Sequence, residues 1–312
     1  LSEREVCFTN ENVYFFRLFI KYKMREKIKT GISIFIIVIL LPYVAVVFRT
    51  GNMRGQEKRA ADPGIEDYVA GILPGQMPVS YQEEALKAQA VIIRTNLLKA
   101  GMEFYHINDL QAAAEAIRMT DLKAMGFHYT SPEDLEKLWG YEQWKENEEK
   151  LWEAVRSTEG QILTVEGLPA ELPFHAVSAG RTRSGEILGE GYAYLESVEC
   201  PGDVESADYL NIQFLTLSQL PEIISRDEGG YVTELRVGEE TMAGEEFRSR
   251  FCLNSSSFTL DETEEGIRAV TKGLGHGLGL SLYQANCFAA EGQSYLEILR
   301  YFYKNVECIS FH

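Results

Sequence analysis

Residues 67–95 read DYVAGILPGQMPVSYQEEALKAQAVIIRT, and this stretch decides the fold. A corner rich in proline and glycine, Leu73 to Pro78, runs directly into a helix signal. Ser80 followed by Glu83 has capping-box spacing, in which a hydroxyl and a carboxylate satisfy two orphan N–H groups reciprocally. Leu86, Ala90, Ile93 and Leu97 then recur at i, i+4, i+7 and i+11, the apolar stripe of a helix, and Gly101 is expected to end it.

The whole chain bounds what surrounds this stretch. Its 312 residues are 45% hydrophobic, enough for a buried core, and its formal net charge is −17. A polyanion partner requires clustered Lys and Arg, so nucleic acid is excluded as a ligand. Residues 31–48 (GISIFIIVILLPYVAVVF) form an uncharged, largely apolar run long enough to span a bilayer as a slightly tilted helix. Lys21, Lys23, Arg25, Lys27 and Lys29 crowd its N-terminal side, which places residues 1–30 in the cytoplasm. A cleavable signal peptide shares this pattern, but the run is long for one and no A-x-A site follows promptly. An uncleaved signal anchor in the cell membrane is therefore expected, followed by a linker over 49–63 and an extracytoplasmic α+β domain over 64–312, in one or two lobes. The five cysteines show neither C-x-x-C nor Cys/His metal spacing.

Along that domain, 111–119 reads as a short helix and Ser131-Pro132-Glu133-Asp134 opens another, with Pro at the first helical position. The segment 141–158 carries Trp144, Glu148, Leu151, Trp152 and Val155 on one face. From Gln161 the period changes to two, predicting a hairpin in which ILTV and LPFHAV flank a Glu-Gly turn. Short strands are expected at 231–237 and 258–260, a helix near 218–224, a capped helix from Ser294 and a closing strand at 308–311.

The segment from Glu84 to Thr95, preceded by G-x-x-x-x-x-M-P at Gly71 to Pro78, resembles the stage II sporulation protein D (SpoIID) family of peptidoglycan lytic transglycosylases. Three further segments are similar to that family in the same order: His175-Ala-Val-Ser178-Ala-Gly180-Arg-Thr182, Tyr194-Leu195 with Val198 and Asp203, and Gly275-His276-Gly277-Leu-Gly279-Leu-Ser281. The resemblance covers about four-fifths of the chain. It implies a peptidoglycan glycan strand as the partner, other sporulation wall proteins as associates, and a role in septal wall remodelling during engulfment. It also implies that the residue before Met-Pro is the catalytic glutamate. Here that residue is Gln76. A lytic transglycosylase needs one group that protonates the glycosidic oxygen and then takes a proton from the muramic acid 6-hydroxyl, and an amide does neither. Ala176, Ala179 and Leu282 depart from the family pattern in the other motifs.

The resemblance implies that His175, Ser178, Thr182, His276 and Ser281 contact substrate. Read from the residues, alternating glycines at 273, 275, 277 and 279 let the backbone pass close to a ligand. The dinucleotide fingerprint is excluded, because its third glycine would fall on Leu278 or Leu280. A serine-nucleophile reading fails for want of a G-x-S-x-G elbow. Glu83 and Glu84 are candidates for a displaced acid. Some family members place a His and a Cys ahead of the glutamine that Gln111 matches; here His106 stands but Leu110 takes the cysteine-like place, so neither structural zinc nor any cofactor is expected.

Overall fold

A computed structural model describes residues 63–311 and shows a mixed α and β architecture built around one long helix. Helix α1 (Ile65–Gln76) leads through the Met77–Gln82 corner into α2 (Glu83–Tyr105). Helices α3 (Leu110–Ala116), α4 (Pro132–Trp139) and α5 (Tyr141–Arg156) follow. Helix α2 is buried along most of its length, with Ala85, Leu86, Ala88, Ala90, Val91, Ile92, Ile93, Leu97 and Leu98 all out of solvent. A helix apolar on most sides is one that neighbours enclose. Here α1, α3 and α5 flank it. The apolar run 31–48 lies outside the described residues; among those described, no helix is long and apolar enough to cross a membrane.

Beyond α5 come β1 (Gln161–Val165), β2 (Leu168–Pro169) and β3 (Phe174–His175). Glu166 and Gly167 take φ of 52° and 81°, the left-handed pair that a two-residue hairpin turn demands. The hairpin is short, however. After Pro169 the chain leaves β1, and β3 pairs instead in parallel with β10 (Leu280–Ser281), setting Ser281 opposite His175. This join across more than a hundred positions brings the His175 and Gly275–Ser281 motifs together.

A second core lies in the β-rich segment. Strands β4 (Leu210–Leu215), β8 (Phe258–Thr263) and β9 (Gly266–Lys272) form one antiparallel sheet with β9 central. Strands β5 (Glu222–Arg226), β6 (Val232–Val237) and β7 (Glu240–Ala243) form another with β6 central. Helix α6 (Gly244–Phe251) sits with them, and Leu215, Val232, Leu235, Met242, Phe247, Phe258 and Ile267 pack as one cluster. Helices α7 (Leu282–Ala290) and α8 (Tyr295–Phe302) return to α2, and β11 (Glu307–Ser310) closes the chain against β1. The Ser294–Glu297 capping box at α8 is formed as the spacing predicts.

Four expectations are corrected. Helix α2 is not capped by Ser80: Gln82 is its N-cap, with its N–H donated to Asn286 Oδ1 at 2.8 Å, and Glu83 turns to Lys87 at 2.6 Å. Gly101 does not end α2, which runs on to Tyr105 and closes on His106 at φ 56°. Gly101 instead lets Ile117 approach, whose side chain would lie 3.0 Å from a Cβ there. The segment near 218–224 contributes to a strand, β5, because β6 offers it a ladder. Finally, the Pro74-Gly75 corner belongs to α1, which persists to Gln76 because Met77 N–H reaches Leu73 O at 3.1 Å.

Candidate functional site

Helix α1 delivers Gln76 at its C-terminal end, half-exposed, just before the buried Met77. Gln76 Oε1 accepts a hydrogen bond from Gln89 Nε2 at 2.8 Å. Gln89 lies on α2, fully buried, and its own Oε1 has no partner among the described residues. A carboxylate at position 76 would accept the same bond in charge-assisted form. The two nearby acids are occupied elsewhere. Glu83 and Glu84 both bind Lys87, at 2.6 and 2.8 Å, and Glu84 also accepts Tyr295 N–H at 2.7 Å. Lys150 secures the corner by donating to Val79 O and Tyr81 O at 2.7 and 2.6 Å. Beside that corner, Pro74, Pro78, Trp139, Gln143, Asn147 and Lys150 line a cavity of about 540 Å³.

The histidines form a second group. The rings of His175 and His276 stand 5.8 Å apart. His175 is buried, its Nδ1 donates to Leu278 O at 3.0 Å, and its Nε2 has no partner among the described residues. Burial, with His276 alongside, pushes its pKa down to about 3, so the ring is neutral at physiological pH. His276 is less enclosed. Burial lowers its pKa, Glu245 opposes and Arg248 adds to the depression, while Nδ1 accepts Leu278 N–H at 3.1 Å. It opens on a cavity of about 460 Å³ with Asn96, Lys99, Glu103, Glu171 and Phe174. Gln76 does not line that cavity. Gln89, which holds Gln76, and Asn96, which lines the His276 cavity, are seven residues apart on one face of α2, about 10 Å along its axis.

The hydroxyls expected to contact substrate are consumed inside the fold. Ser178, Thr182 and Ser281 are all buried. Asp203 gathers two of these segments: its Oδ2 accepts Ser178 N–H at 2.7 Å and its Oδ1 accepts the Ser281 hydroxyl at 2.8 Å. Burial raises the Asp203 carboxyl above the usual aspartate range, against the pull of these donors. Thr182 Oγ1 accepts Val198 N–H at 2.9 Å. Those three residues therefore tie the motifs together from inside the fold. The glycine loop is packed against the fold as well. A Cβ on Gly275 would stand 2.6 Å from His175 Cβ, and one on Gly277 would stand 2.4 Å from the Tyr231 ring. At both positions the close approach is to the protein's own chain.

Sequence reasoning placed both Asp203 and Gln89 in motifs without giving either a role. The signal for Gln89 was a polar residue within an otherwise apolar helix, one that is satisfied only if another polar group meets it.

Comparison with known proteins identifies the family. Residues 53–165 match the Stage II sporulation protein (SpoIID) family. The chain is 30% identical over 286 residues to Stage II sporulation protein D of Bacillus amyloliquefaciens, covering 85% of this chain and 78% of that protein. It is 30% identical over 283 residues to the protein of the same name from Bacillus subtilis (strain 168), covering 85% and 79%. An uncharacterised protein of Brachyspira hyodysenteriae is 28% identical over 270 residues. The chain belongs to the SpoIID family of sporulation proteins.

Proposed function

We propose that this protein binds peptidoglycan glycan strands in septal wall remodelling during sporulation, and that it does so without cleaving them. In this reading the run 31–48 anchors it in the cell membrane and the folded domain meets the wall outside, with other sporulation wall proteins as associates. The observation that carries the proposal is the Gln76–Gln89 pair. Position 76 ends in an amide held at 2.8 Å by a second amide, while Glu83 and Glu84 are engaged with Lys87. No proton donor stands where the family resemblance implies the acid. The Trp139, Gln143 and Asn147 side chains beside the corner offer an aromatic face and two amides, the groups that suit sugar rings and hydroxyls.

A working transglycosylase with a displaced acid is the second reading. Glu148 is the carboxylate that favours it, since burial raises its pKa. Its cavity of about 140 Å³ is small for a glycan strand, so binding without cleavage is preferred. Co-sedimentation of the purified protein with isolated sacculi tests the proposal. Binding with no solubilised glycan supports it, and failure to co-sediment at physiological salt removes it.

A further inference from the structure

Helix α5 puts Trp144, Glu148 and Trp152 at i, i+4 and i+8, so all three face one direction. They line a cavity of about 140 Å³ together with Asp67, Gly71 and Tyr129. The Tyr129 ring lies against α1 where Gly71 has no side chain; a Cβ there would stand 2.0 Å from it. Thr130 N–H fixes that segment by donating to Gly71 O at 2.9 Å.

Two polar groups in the wall have no described protein partner. Trp144 Nε1–H is buried and has no acceptor among the described residues. Glu148 is half-buried, and no described hydrogen bond or ion pair reaches its carboxylate; burial alone accounts for its raised pKa. A lone acid on the apolar face of a helix costs stability unless something compensates it. Asp67 adds a second carboxylate, of which one oxygen takes Gly64 N–H at 2.8 Å. The aromatic faces favour positive charge, as the Arg156 guanidinium 5.1 Å from the Trp152 ring centre already illustrates. An apolar cavity of about 150 Å³ holds a benzene-sized molecule, so this one suits a ligand of similar size.

We propose that this cavity binds a small amino alcohol, its ammonium set against Glu148 and Asp67 and its hydroxyl oxygen accepting the Trp144 Nε1–H. The site stands on α1, α4, α5 and the Tyr129–Thr130 segment ahead of α4, and does not depend on Gln76 or on glycan binding. Of the three tryptophans in the chain, Trp144 and Trp152 line the cavity, so intrinsic fluorescence reports on it.

The test titrates the full chain with ethanolamine, D-glucosamine and ethylene glycol at constant ionic strength. Saturable fluorescence changes are expected with the two amines, and binding about 10-fold weaker or absent with the neutral diol. Tighter binding of glucosamine assigns an amino sugar, and tighter binding of ethanolamine an open-chain amino alcohol. Glu148→Gln keeps the shape and should weaken both amines by about 10-fold, and Trp144→Phe should weaken them less. Circular dichroism confirms that each variant is folded. Equal response to the amines and the diol, or a folded Glu148→Gln variant that binds as tightly as the parent, overturns the proposal.

Discussion

Arg94 sits at the centre of the helical core, fully buried, and its replacement by alanine gives a quantitative test of the packing described above. Its Nε and Nη2 reach the two oxygens of Glu66 at 2.8 and 2.5 Å, a fork that joins α1 to α2. Nη1 donates to Gln161 O at 3.1 Å, tying the same side chain to β1, and Gly160 N–H adds to Glu66 at 3.2 Å. Removing one partner of a buried ion pair costs about 3–5 kcal/mol. Glu66 retains 21% exposure, so water can partly resolvate it, and the lower end of that range, about 3 kcal/mol, applies. For a domain of this size that corresponds to a fall in Tm of about 6–12 °C. Urea unfolding followed by circular dichroism measures it, with Arg94→Lys expected between the parent and alanine because the charge remains but the fork is lost. A loss below about 1 kcal/mol for Arg94→Ala would refute the claim that this pair locks the α1–α2 junction.

The other predictions concern the motif scaffold. Asp203 carries a carboxyl whose folded pKa is raised, so the folded chain holds that proton more tightly than the unfolded one. Ionising it therefore subtracts stability as pH rises from the ordinary aspartate value through the folded one. The stability of the parent relative to Asp203→Asn should accordingly increase as pH is lowered through that window in urea titrations, and a pH-independent difference would argue against a buried ionisable Asp203. Gly277→Ala should cost about 2–4 kcal/mol, combining a φ of 80° with a clash on Tyr231. Gly292→Ala, at φ 91° with open space around it, should cost only about 1 kcal/mol, and equal losses in thermal melts would contradict the crowding at Gly277.

Local chemistry was legible wherever its partners were close in sequence. Ser131 caps α4, Ser294 and Glu297 cap α8, and the Glu166-Gly167 turn closes a hairpin, all within four residues. The misreadings had distant partners. Asn286, 204 positions away, takes the N–H that Ser80 was expected to organise around. Ile117 explains a glycine within α2 that looked like a stop. The hydroxyls of Ser178, Thr182 and Ser281 have the chemistry for sugar recognition, and their burial was not legible from residue type. Asp203, 78 positions from Ser281, draws two of those segments into the interior. Gln76 was legible as a departure from an acid, whereas its hold by Gln89 needed the packing of α1 on α2.

The central claim is that an amide at position 76 binds where an acid would cut. Incubating purified parent and Gln76→Glu proteins with peptidoglycan, and quantifying anhydro-muropeptides by chromatography and mass spectrometry, tests it most directly. The parent should release none above background while Gln76→Glu gains cleavage. Proton transfer by a positioned group contributes about 10²–10⁴-fold, and the departures at Ala176, Ala179 and Leu282 should hold the gain toward the lower figure. Robust anhydro-muropeptide release by the unaltered protein, left unchanged by Gln76→Glu, would contradict the account.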